Sequence, residues 1–307
     1  MSAAATPRLP CVFDARYCTA AAPTISTTKQ ADVVRAALQE GLLDVRPWAF
    51  NEALAWLDVE RVHDADYVRA VRFGKPRALA ESQGFTWSPG FAEAVARIWA
   101  GHVKACRLAL TEGIVCHPVS GAHHARRQRG AGFCTFNFLV GAGRALLREG
   151  SIRRVAVVDL DAHQGDGTLA LVRSDQAFSL FDIAGSSWIG TLDTGRLCYA
   201  VARNAAEYGR HLQHLAPWLD RVKPDLVQYQ AGADPFEDDP IGGIPGMTAD
   251  ALRERDRTVT QLLLDRNIPT VVNLAGGYVR GVTEGLHLQT IRLMTDGLPR
   301  GRPERGK

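Results

Sequence analysis

The stretch that most constrains this chain is residues 155–168, which read VAVVDLDAHQGDGT. The apolar run 155–158 is followed at once by polar and glycine residues, which is typical of a strand buried on both faces of a sheet. Asp159, Asp161 and His163 then alternate with apolar residues, so in extended backbone their side chains point to one side. Carboxylates and an imidazole in that arrangement suit a divalent metal such as zinc, with one position open for water.

The alternative interpretation of this stretch is an ordinary turn after a strand, because Asp and Gly are common turn residues. The cluster is denser than a turn requires, since Asp166 adds a further carboxylate close behind. Carboxylates this close repel each other unless a cation lies between them. The sequence therefore favours a metal site over a simple turn.

Length and composition fit a single globular domain. The 307 residues, of which 46% are hydrophobic, can bury one large core. We expect the domain to span 1–300 and residues 301–307 to form a disordered tail. The net charge of +3, from 36 basic and 33 acidic residues, does not favour nucleic acid as a partner. No apolar run reaches the roughly 18 residues of a membrane span, so no membrane association is expected.

The cysteines and the first residues of the sequence bear on location. The six cysteines are scattered without a CxxC pair, and the opening MSAAATPRLP lacks the charged and then apolar pattern of a signal peptide. Both features predict a protein of the reducing cytoplasm.

Predicted strands and helices alternate along most of the chain, which indicates an α/β fold with a central, mostly parallel sheet and helices on both faces. In such sheets the ligand site lies beyond the carboxyl ends of the strands. The candidate residues all follow predicted strands: His123 and His124 after 114–116, Asp161 and His163 after 155–158, Asp234 after 226–230, and Tyr278 after 271–274. Residues 184–195 are predicted as a loop and residues 197–222 as one long helix.

Each candidate also has a simpler explanation. His123 and His124 could be a chance surface pair, although the glycine-bearing loop that follows, with Gly132, favours close approach by another group. Asp234 could begin an Asp-Pro turn, and Tyr278 could be a core aromatic residue. Their shared position at strand ends favours a common site.

Five motifs resemble the histone deacetylase family of the arginase-deacetylase superfamily. They occur in the family's order: GAHHA at 121–125, GAGFCTFN at 130–137, DLDAHQGDGT at 159–168, GADPFEDDPIGG at 232–243 and GGY at 276–278. Gln164 stands where many branches carry a second histidine, so the chain resembles the class IV and related bacterial branch. The resemblance implies the arginase-deacetylase fold.

The resemblance also implies the metal chemistry. Asp161, His163 and Asp234 would bind one catalytic zinc ion, which lowers the pKa of its bound water towards about 7. Iron is the alternative, since it accepts the same ligands. A structural monovalent cation, such as potassium, is implied near four residues: Asp159, Asp161, His163 and Asp182.

Catalytic roles follow from the same motifs. His123 and His124 would serve as general base and general acid. Asp159 and Asp166 would orient His123 and His124 respectively. Tyr278 would donate its hydroxyl to the oxyanion of the tetrahedral intermediate.

The resemblance further implies which residues line the substrate site. Phe133 would form one wall of a narrow tunnel for an acyl-lysine-like group, with the Gly132 backbone near the substrate amide. Gly276 and Gly277, which precede the tyrosine, would also contact substrate.

Three departures from the family pattern concern the substrate more than the chemistry. Residues 21–30 read AAPTISTTKQ and lack the His-Pro and later Arg of many relatives. Residues 184–196 are short and lack the usual rim loop, which leaves Trp188 as a candidate for the opposite wall. Phe138 stands where relatives commonly carry an aspartate.

These residues favour a zinc-dependent deacylase that removes an acetyl or longer group from an amine, in the first place acyl-lysine. The alternative substrate is a polyamine or another small acyl-amine, whose charge an acidic rim of Glu237, Asp238 and Asp239 could attract, unless these residues form a solvated loop. A two-metal ureohydrolase of the arginase kind and a catalytically inactive ligand-binding relative stay open. Acyl length and oligomeric state are left open too.

Overall fold

A computed structural model describes residues 7–18, 27–186 and 188–298 and contains nine strands in one sheet. The strands are β1 (Leu9–Cys11), β2 (Leu43–Val45), β3 (Ile114–His117), β4 (Val155–Asp159), β5 (Phe178–Ala184), β6 (Leu192–Asp193), β7 (Leu197–Val201), β8 (Leu226–Gln230) and β9 (Thr270–Asn273). Their order is β2-β1-β3-β9-β8-β4-β5-β7-β6. All neighbours pair in parallel except β6 and β7.

Helices cover both faces of this sheet. They are α1 (Lys29–Gln39), α2 (Glu52–Glu60), α3 (Ala65–Phe73), α4 (Arg77–Ala80), α5 (Pro89–Glu112), α6 (Phe138–Arg148), α7 (Asp166–Val172), α8 (Ala205–Leu212), α9 (Leu215–Val222), α10 (Ala249–Asp265) and α11 (Thr283–Asp296), with a 3₁₀ turn at Ala15–Tyr17. The predicted fold class, a single α/β domain with a mostly parallel sheet, is confirmed.

Strand β4 lies in the middle of the sheet, between β8 and β5, and all five of its residues are buried. Val155 and Val157 pack in the core beneath α5 and α6, whereas Ala156 and Val158 pack in the core beneath α10 and α11. The apolar run is therefore buried on both faces, as its composition predicts.

The register of β4 fixes where its carboxyl end lies. Asp159 is paired with Asp182 on β5 and with Gln230 on β8. Because these strands are parallel, the loops that follow them leave the sheet at one edge.

The longest helix, α5, supplies much of the core on one face. Ser88 caps its amino end by accepting a hydrogen bond from the Phe91 N–H at 3.0 Å, and Pro89 is its first residue. Its Trp99 lies so close to α6 that a Cβ at Gly141 would be 2.1 Å from the indole ring. This close contact packs α6 against α5, and β4 is the next element of the chain after α6.

The prediction of one helix over residues 197–222 is wrong. Residues 197–201 form β7, which pairs with β5, and residue 192 begins the short β6 inside the segment predicted as a loop. Asn204 then starts α8, since its side chain accepts a hydrogen bond from the Glu207 N–H at 3.0 Å. The five apolar residues of β7 resemble a helical segment locally, and only pairing with β5 makes them a strand.

Some predictions fall outside the described residues. The expected disordered tail, 301–307, and most of the segment 21–30 belong there, and the domain limits at 1–300 stay predictions. Within the described part of the chain, no helix is both long and apolar enough to cross a bilayer.

His63 is a buried structural residue just before the start of α3. It is 1% exposed, its Nε2 accepts a hydrogen bond from the Asn137 N–H at 3.0 Å, and its Nδ1 lies 2.9 Å from the Arg126 carbonyl oxygen. The neutral ring satisfies both contacts, so His63 ties the start of α3 to the loop around the histidine pair. Burial lowers the pKa of His63 to about 4.

The variant His63→Gln should flatten the acid dependence of stability. Between pH 6.5 and 4 the unfolded chain binds a proton that folded His63 excludes, so this contribution is complete above pH 6.5 and is lost as the pH falls. The free energy of unfolding, measured in urea across this range, should lose up to about 3 kcal/mol less in the variant. His214→Gln changes an exposed histidine and is the control. Equal slopes for both variants would contradict the assignment.

Candidate metal centre and active site

The candidate residues meet at one edge of the sheet. They follow four strands that are neighbours in the order β3-β9-β8-β4: His123 and His124 follow β3, Tyr278 follows β9, Asp234 follows β8, and Asp161 and His163 follow β4. Residues that are distant along the chain are thereby brought together, as the strand-end pattern predicts.

Asp161, His163 and Asp234 form a compact cluster. Their ligand atoms lie within 4.8 Å of one another, and no other such group of three occurs among the described residues. The Nδ1 atom of His163 is 3.1 Å from Asp161 Oδ1 and 3.0 Å from Asp234 Oδ2. Both carboxylates are buried, whereas His163 is partly exposed.

The electrostatics of this cluster favour a bound cation. Burial raises the pKa of Asp234 to about 7, and the charge of Asp161 adds to the effect. Burial opposes protonation of His163, but hydrogen bonds to Asp161 and Asp234 raise its pKa to about 10. Two buried carboxylates thus attract positive charge into the space between them. Two oxygens and a nitrogen are a donor set that fits a divalent metal ion.

Backbone groups hold these carboxylates in place. The Gly276 N–H donates to Asp161 Oδ2 at 2.8 Å, and the Ala162 N–H donates to Asp234 Oδ1 at 3.1 Å. A Cβ at Gly276 would lie 2.3 Å from Asp234 Oδ2, and one at Gly232 would lie 2.6 Å from Asp234 Oδ1. Glycine at both positions lets the backbone reach the carboxylates.

Each histidine of the pair is bound to its own carboxylate. Nδ1 of His123 is 2.9 Å from Asp159 Oδ2, and Nδ1 of His124 is 2.7 Å from Asp166 Oδ1. Burial opposes protonation of His123, but the charges of Asp159 and Asp161 raise its pKa well above the usual value. Burial and the charge of His123 lower the pKa of His124. The two rings, 4.1 Å apart, therefore differ in proton affinity, as a base and an acid must.

Tyr278 is half-buried at the same edge, and its backbone is anchored by Asp239. The Tyr278 N–H donates to Asp239 Oδ2 at 2.8 Å, while Asp239 Oδ1 accepts from the N–H groups of Ile241 and Gly242 at 3.0 Å. Burial raises the pKa of Tyr278, and the charge of Asp234 raises it further. The phenol therefore keeps its proton and can act as a hydrogen-bond donor.

Asp239 does not lie in a solvated loop, which is one of the two environments that the sequence allows for the acidic segment 237–239. Glu237 and Asp238 are exposed, but Asp239 is only 6% exposed and does not belong to a solvated loop. Its carboxylate accepts hydrogen bonds from three backbone N–H groups, one of which belongs to Tyr278, so Asp239 supports the backbone of the segment that carries the tyrosine. A run of three consecutive acidic residues in a loop gives no signal of this role.

Lys29 is a residue of the site that the sequence did not indicate. It is fully buried, and its Nζ donates to the carbonyl oxygens of Ala275 at 2.7 Å and Gly277 at 3.3 Å. Burial lowers the pKa of Lys29 to about 8, against the opposing charge of Asp234. The ammonium group therefore ties the first turn of α1 to the segment that precedes Tyr278.

Two aromatic side chains flank the site. The ring of Phe133, whose φ is +62°, lies 6.0 Å from the ring of Tyr278. Trp188 is 55% exposed and stacks on His163 at 6.0 Å, with the His124 ring at 5.8 Å. These positions suit the walls of a substrate channel, which stays a prediction for both residues.

The remaining glycines predicted to bind substrate lie close to the same side chains. A Cβ at Gly132, whose φ is +49°, would lie 2.3 Å from Cδ2 of His124. The carbonyl of Gly277 receives the Lys29 bond described above. Their position beside the histidines and the tyrosine is compatible with the predicted contact with substrate, which stays a prediction.

Asp182 lies on β5 beside Asp159. Its Oδ2 accepts a hydrogen bond from the Gly165 N–H at 2.8 Å, whereas its Oδ1 is buried without a hydrogen-bond partner among the described residues. Burial raises the pKa of Asp182 well above its usual value, and the charge of Asp159 adds to this shift. A buried carboxylate of this kind fits the predicted monovalent cation, which stays a prediction.

Comparison with known proteins identifies the family. The model of the histone deacetylase domain matches residues 24–187 and 199–294, so the chain belongs to this family of hydrolases. An uncharacterised protein of Picosynechococcus sp. is 33% identical over 234 residues, which cover 74% of this chain and 77% of the relative. Histone deacetylase 2 of Arabidopsis thaliana is 26% identical over 294 residues, or 91% of this chain and 75% of the relative.

The fold agrees with this assignment. The crystal structure of an acetylpolyamine aminohydrolase from Burkholderia pseudomallei matches with a TM-score of 0.78 and 18% identity, covering 93% of this chain and 98% of that one. The arginase-deacetylase fold predicted from the motifs is therefore confirmed.

The variant Gly276→Ala tests how tightly the carboxylates are held. Its Cβ would displace the Asp234 carboxylate or the backbone that bonds Asp161, so we expect a loss of several kcal/mol in the free energy of unfolding. In Gly285→Ala the new methyl group meets nothing within 4 Å on α11, and a gain of about 0.5–1 kcal/mol is expected. Denaturant unfolding of both variants measures the difference. Comparable stability of the two would refute this packing.

Proposed function

We propose that this protein is a zinc-dependent deacylase that hydrolyses the amide between an acyl group and an amine, such as the side chain of acyl-lysine. The observation that carries the proposal is that three side chains able to bind a metal, two carboxylate-bound histidines and a tyrosine lie at one sheet edge. Membership in the histone deacetylase family supports it.

Asp161, His163 and Asp234 are the proposed ligands. A zinc ion bound there would supply Lewis acidity to the substrate carbonyl and to a water molecule. The Tyr278 hydroxyl is the proposed donor to the carbonyl oxygen as negative charge develops on it. Phe133 and Trp188 would shield the amide from bulk water on two sides.

The histidine pair would accept the proton of the attacking water and donate a proton to the leaving amine. His124, whose pKa is lowered, is the proposed acceptor of a proton from the attacking water, and Asp166 fixes the orientation of its ring. His123, held by Asp159, is the group that stays protonated and provides positive charge and a proton close to the leaving amine. This proposal reverses the order that the resemblance implies, in which His123 is the general base and His124 the general acid, because the surroundings of the two rings shift their pKa values in opposite directions.

Acetylpolyamines are the second candidate substrates. The exposed carboxylates of Glu237 and Asp238 could attract a polycation, and the fold is shared with an acetylpolyamine aminohydrolase. Values of kcat/KM for acetylspermidine and an acetyl-lysine peptide, measured side by side, separate the two candidates.

Elemental analysis tests the metal proposal. Zinc-loaded protein should hold about one ion per chain, and Asp234→Asn should lose most of it because a ligand charge is removed. Asp256→Asn alters an equally buried carboxylate that bonds Arg255 and should retain the ion. About two ions per wild-type chain would favour the two-metal ureohydrolase instead.

Steady-state kinetics test the role of the tyrosine. In Tyr278→Phe the kcat for an acyl-lysine peptide should fall roughly 10²- to 10³-fold, since one oxyanion donor is lost, while zinc content stays unchanged. Tyr229→Phe removes a buried hydroxyl that bonds Asp256, and its kcat should stay near that of the wild type. Chelation should abolish turnover in the wild type. Full activity of Tyr278→Phe would exclude the proposed donor.

A further inference from the structure

The segment that follows β5 is bonded to the loop that carries two of the proposed metal ligands. At its start, the Gly185 N–H donates a hydrogen bond to the Ala162 carbonyl oxygen at 2.9 Å. Further along, residues 188–190, here called the rim segment, bond to the side chain of Gln164. The rim segment is therefore attached to the loop after β4, although it belongs to a different strand connection.

The side chain of Gln164 makes three hydrogen bonds to the rim segment. Its Oε1 accepts from the N–H groups of Trp188 at 3.1 Å and Ile189 at 2.8 Å, and its Nε2 donates to the Gly190 carbonyl oxygen at 2.8 Å. Gln164 is fully buried, and Ile189 packs against the same hydrophobic core as α5. A carboxamide has two lone pairs on its oxygen and two N–H donors, so it can make all three bonds at once.

A histidine at this position could not make the same contacts. Gln164 stands where many branches of the family carry a second histidine, and a neutral imidazole has only one N–H donor and one acceptor nitrogen. That nitrogen could not accept both N–H groups of the rim segment. Two departures seen in the sequence, Gln164 and the short segment 184–196 with Trp188, are therefore physically linked, because the side chain of the first binds the backbone of the second.

The rim segment places the indole of Trp188 against two rings of the proposed active site. The centroid of the indole is 6.0 Å from that of His163, with an angle of 22° between the planes, and 5.8 Å from that of His124. Because Trp188 is 55% exposed, packing covers less than half of the residue. The hydrogen bonds to Gln164 supply the further restraint that keeps the indole over these rings.

We propose that Gln164 is a positioning residue that fixes the rim segment, and with it the indole of Trp188, so that this wall of the substrate site is formed before substrate binds. The inference rests on the proposed function above, in which Trp188 shields the amide. An indole already in place loses little conformational freedom when the amine arm of the substrate packs against it, whereas a free one has to be ordered at that moment. The wall contacts substrate alike in the ground state and the transition state, so its placement governs KM rather than kcat.

Fluorine NMR tests the placement of the indole and needs no turnover. The chain has six tryptophans, and in protein labelled with fluorotryptophan the variant Trp188→Phe identifies the resonance of Trp188. In Gln164→Met, which keeps the length of the side chain and removes its carboxamide, this resonance should sharpen and move towards its position in unfolded protein. Gln228→Met is the control, since Gln228 is equally buried but bonds the Leu139 carbonyl oxygen, and there the Trp188 resonance should stay in place.

Steady-state kinetics test the consequence for substrate. In zinc-loaded Gln164→Met the KM for an acetyl-lysine peptide should rise about ten-fold, while kcat changes less than about three-fold and the zinc content stays near that of the wild type. Gln164→His, which can replace at most two of the three bonds, should shift KM in the same direction. In a Trp188→Ala background, Gln164→Met should raise KM no further, because a residue that acts through the indole has no effect once the indole is removed.

Three results would overturn the inference while the deacylase function stands. The first is an unchanged Trp188 resonance in Gln164→Met, and the second is a rise of KM that persists in the Trp188→Ala background. The third is loss of zinc from Gln164→Met, since the residue would then act through its neighbour His163. Failure of the zinc-loaded wild type on every acyl-amine would instead refute the proposed function, and the fluorine spectra would still decide whether Gln164 places the indole.

Discussion

Two carboxylates buried beside each other, Asp161 and Asp234, are the constraint around which this site is arranged. In the described structure both bond the same nitrogen of His163 and neither has a Lys or Arg side chain as hydrogen-bond partner. Burial of such a pair is unfavourable unless positive charge is supplied. The structure meets part of this demand with the partly exposed imidazole of His163, on which the ring of Trp188 stacks.

Other features of the site follow from that demand. Backbone N–H groups, rather than cationic side chains, steady the carboxylates, and this requires Gly276 where any side chain would collide. The nearby Lys29 does not bond these carboxylates. Its Nζ donates hydrogen bonds to the carbonyl oxygens of Ala275 and Gly277, just before Tyr278. Positive charge between the two carboxylates therefore comes from His163 and, in the proposed function, from a bound metal ion, whereas Lys29 holds the backbone before Tyr278 in position.

The sequence was most informative where local composition and function coincide. The apolar run 155–158 predicted a doubly buried strand, and the ligands after it lie at the expected sheet edge, because strand ends in parallel sheets converge. Contacts between distant segments were not predictable. Lys29 lies 246 residues before Ala275, to whose carbonyl oxygen it donates a hydrogen bond. Asp239 accepts a hydrogen bond from the backbone N–H of Tyr278, which lies 39 residues later in the chain. Strand β7 was missed for the same reason, since its partner β5 decides its conformation.

The topology also dictates when the site can exist during synthesis. His163 and Asp234 are 71 residues apart, on segments that follow β4 and β8, and Tyr278 comes later still, after β9. A chain emerging from the ribosome carries two of the three residues of the cluster, Asp161 and His163, through that whole interval. Nascent fragments that end before Asp234 therefore lack one residue of the cluster, and the proposed metal ion would bind the full set only after β8 has been made.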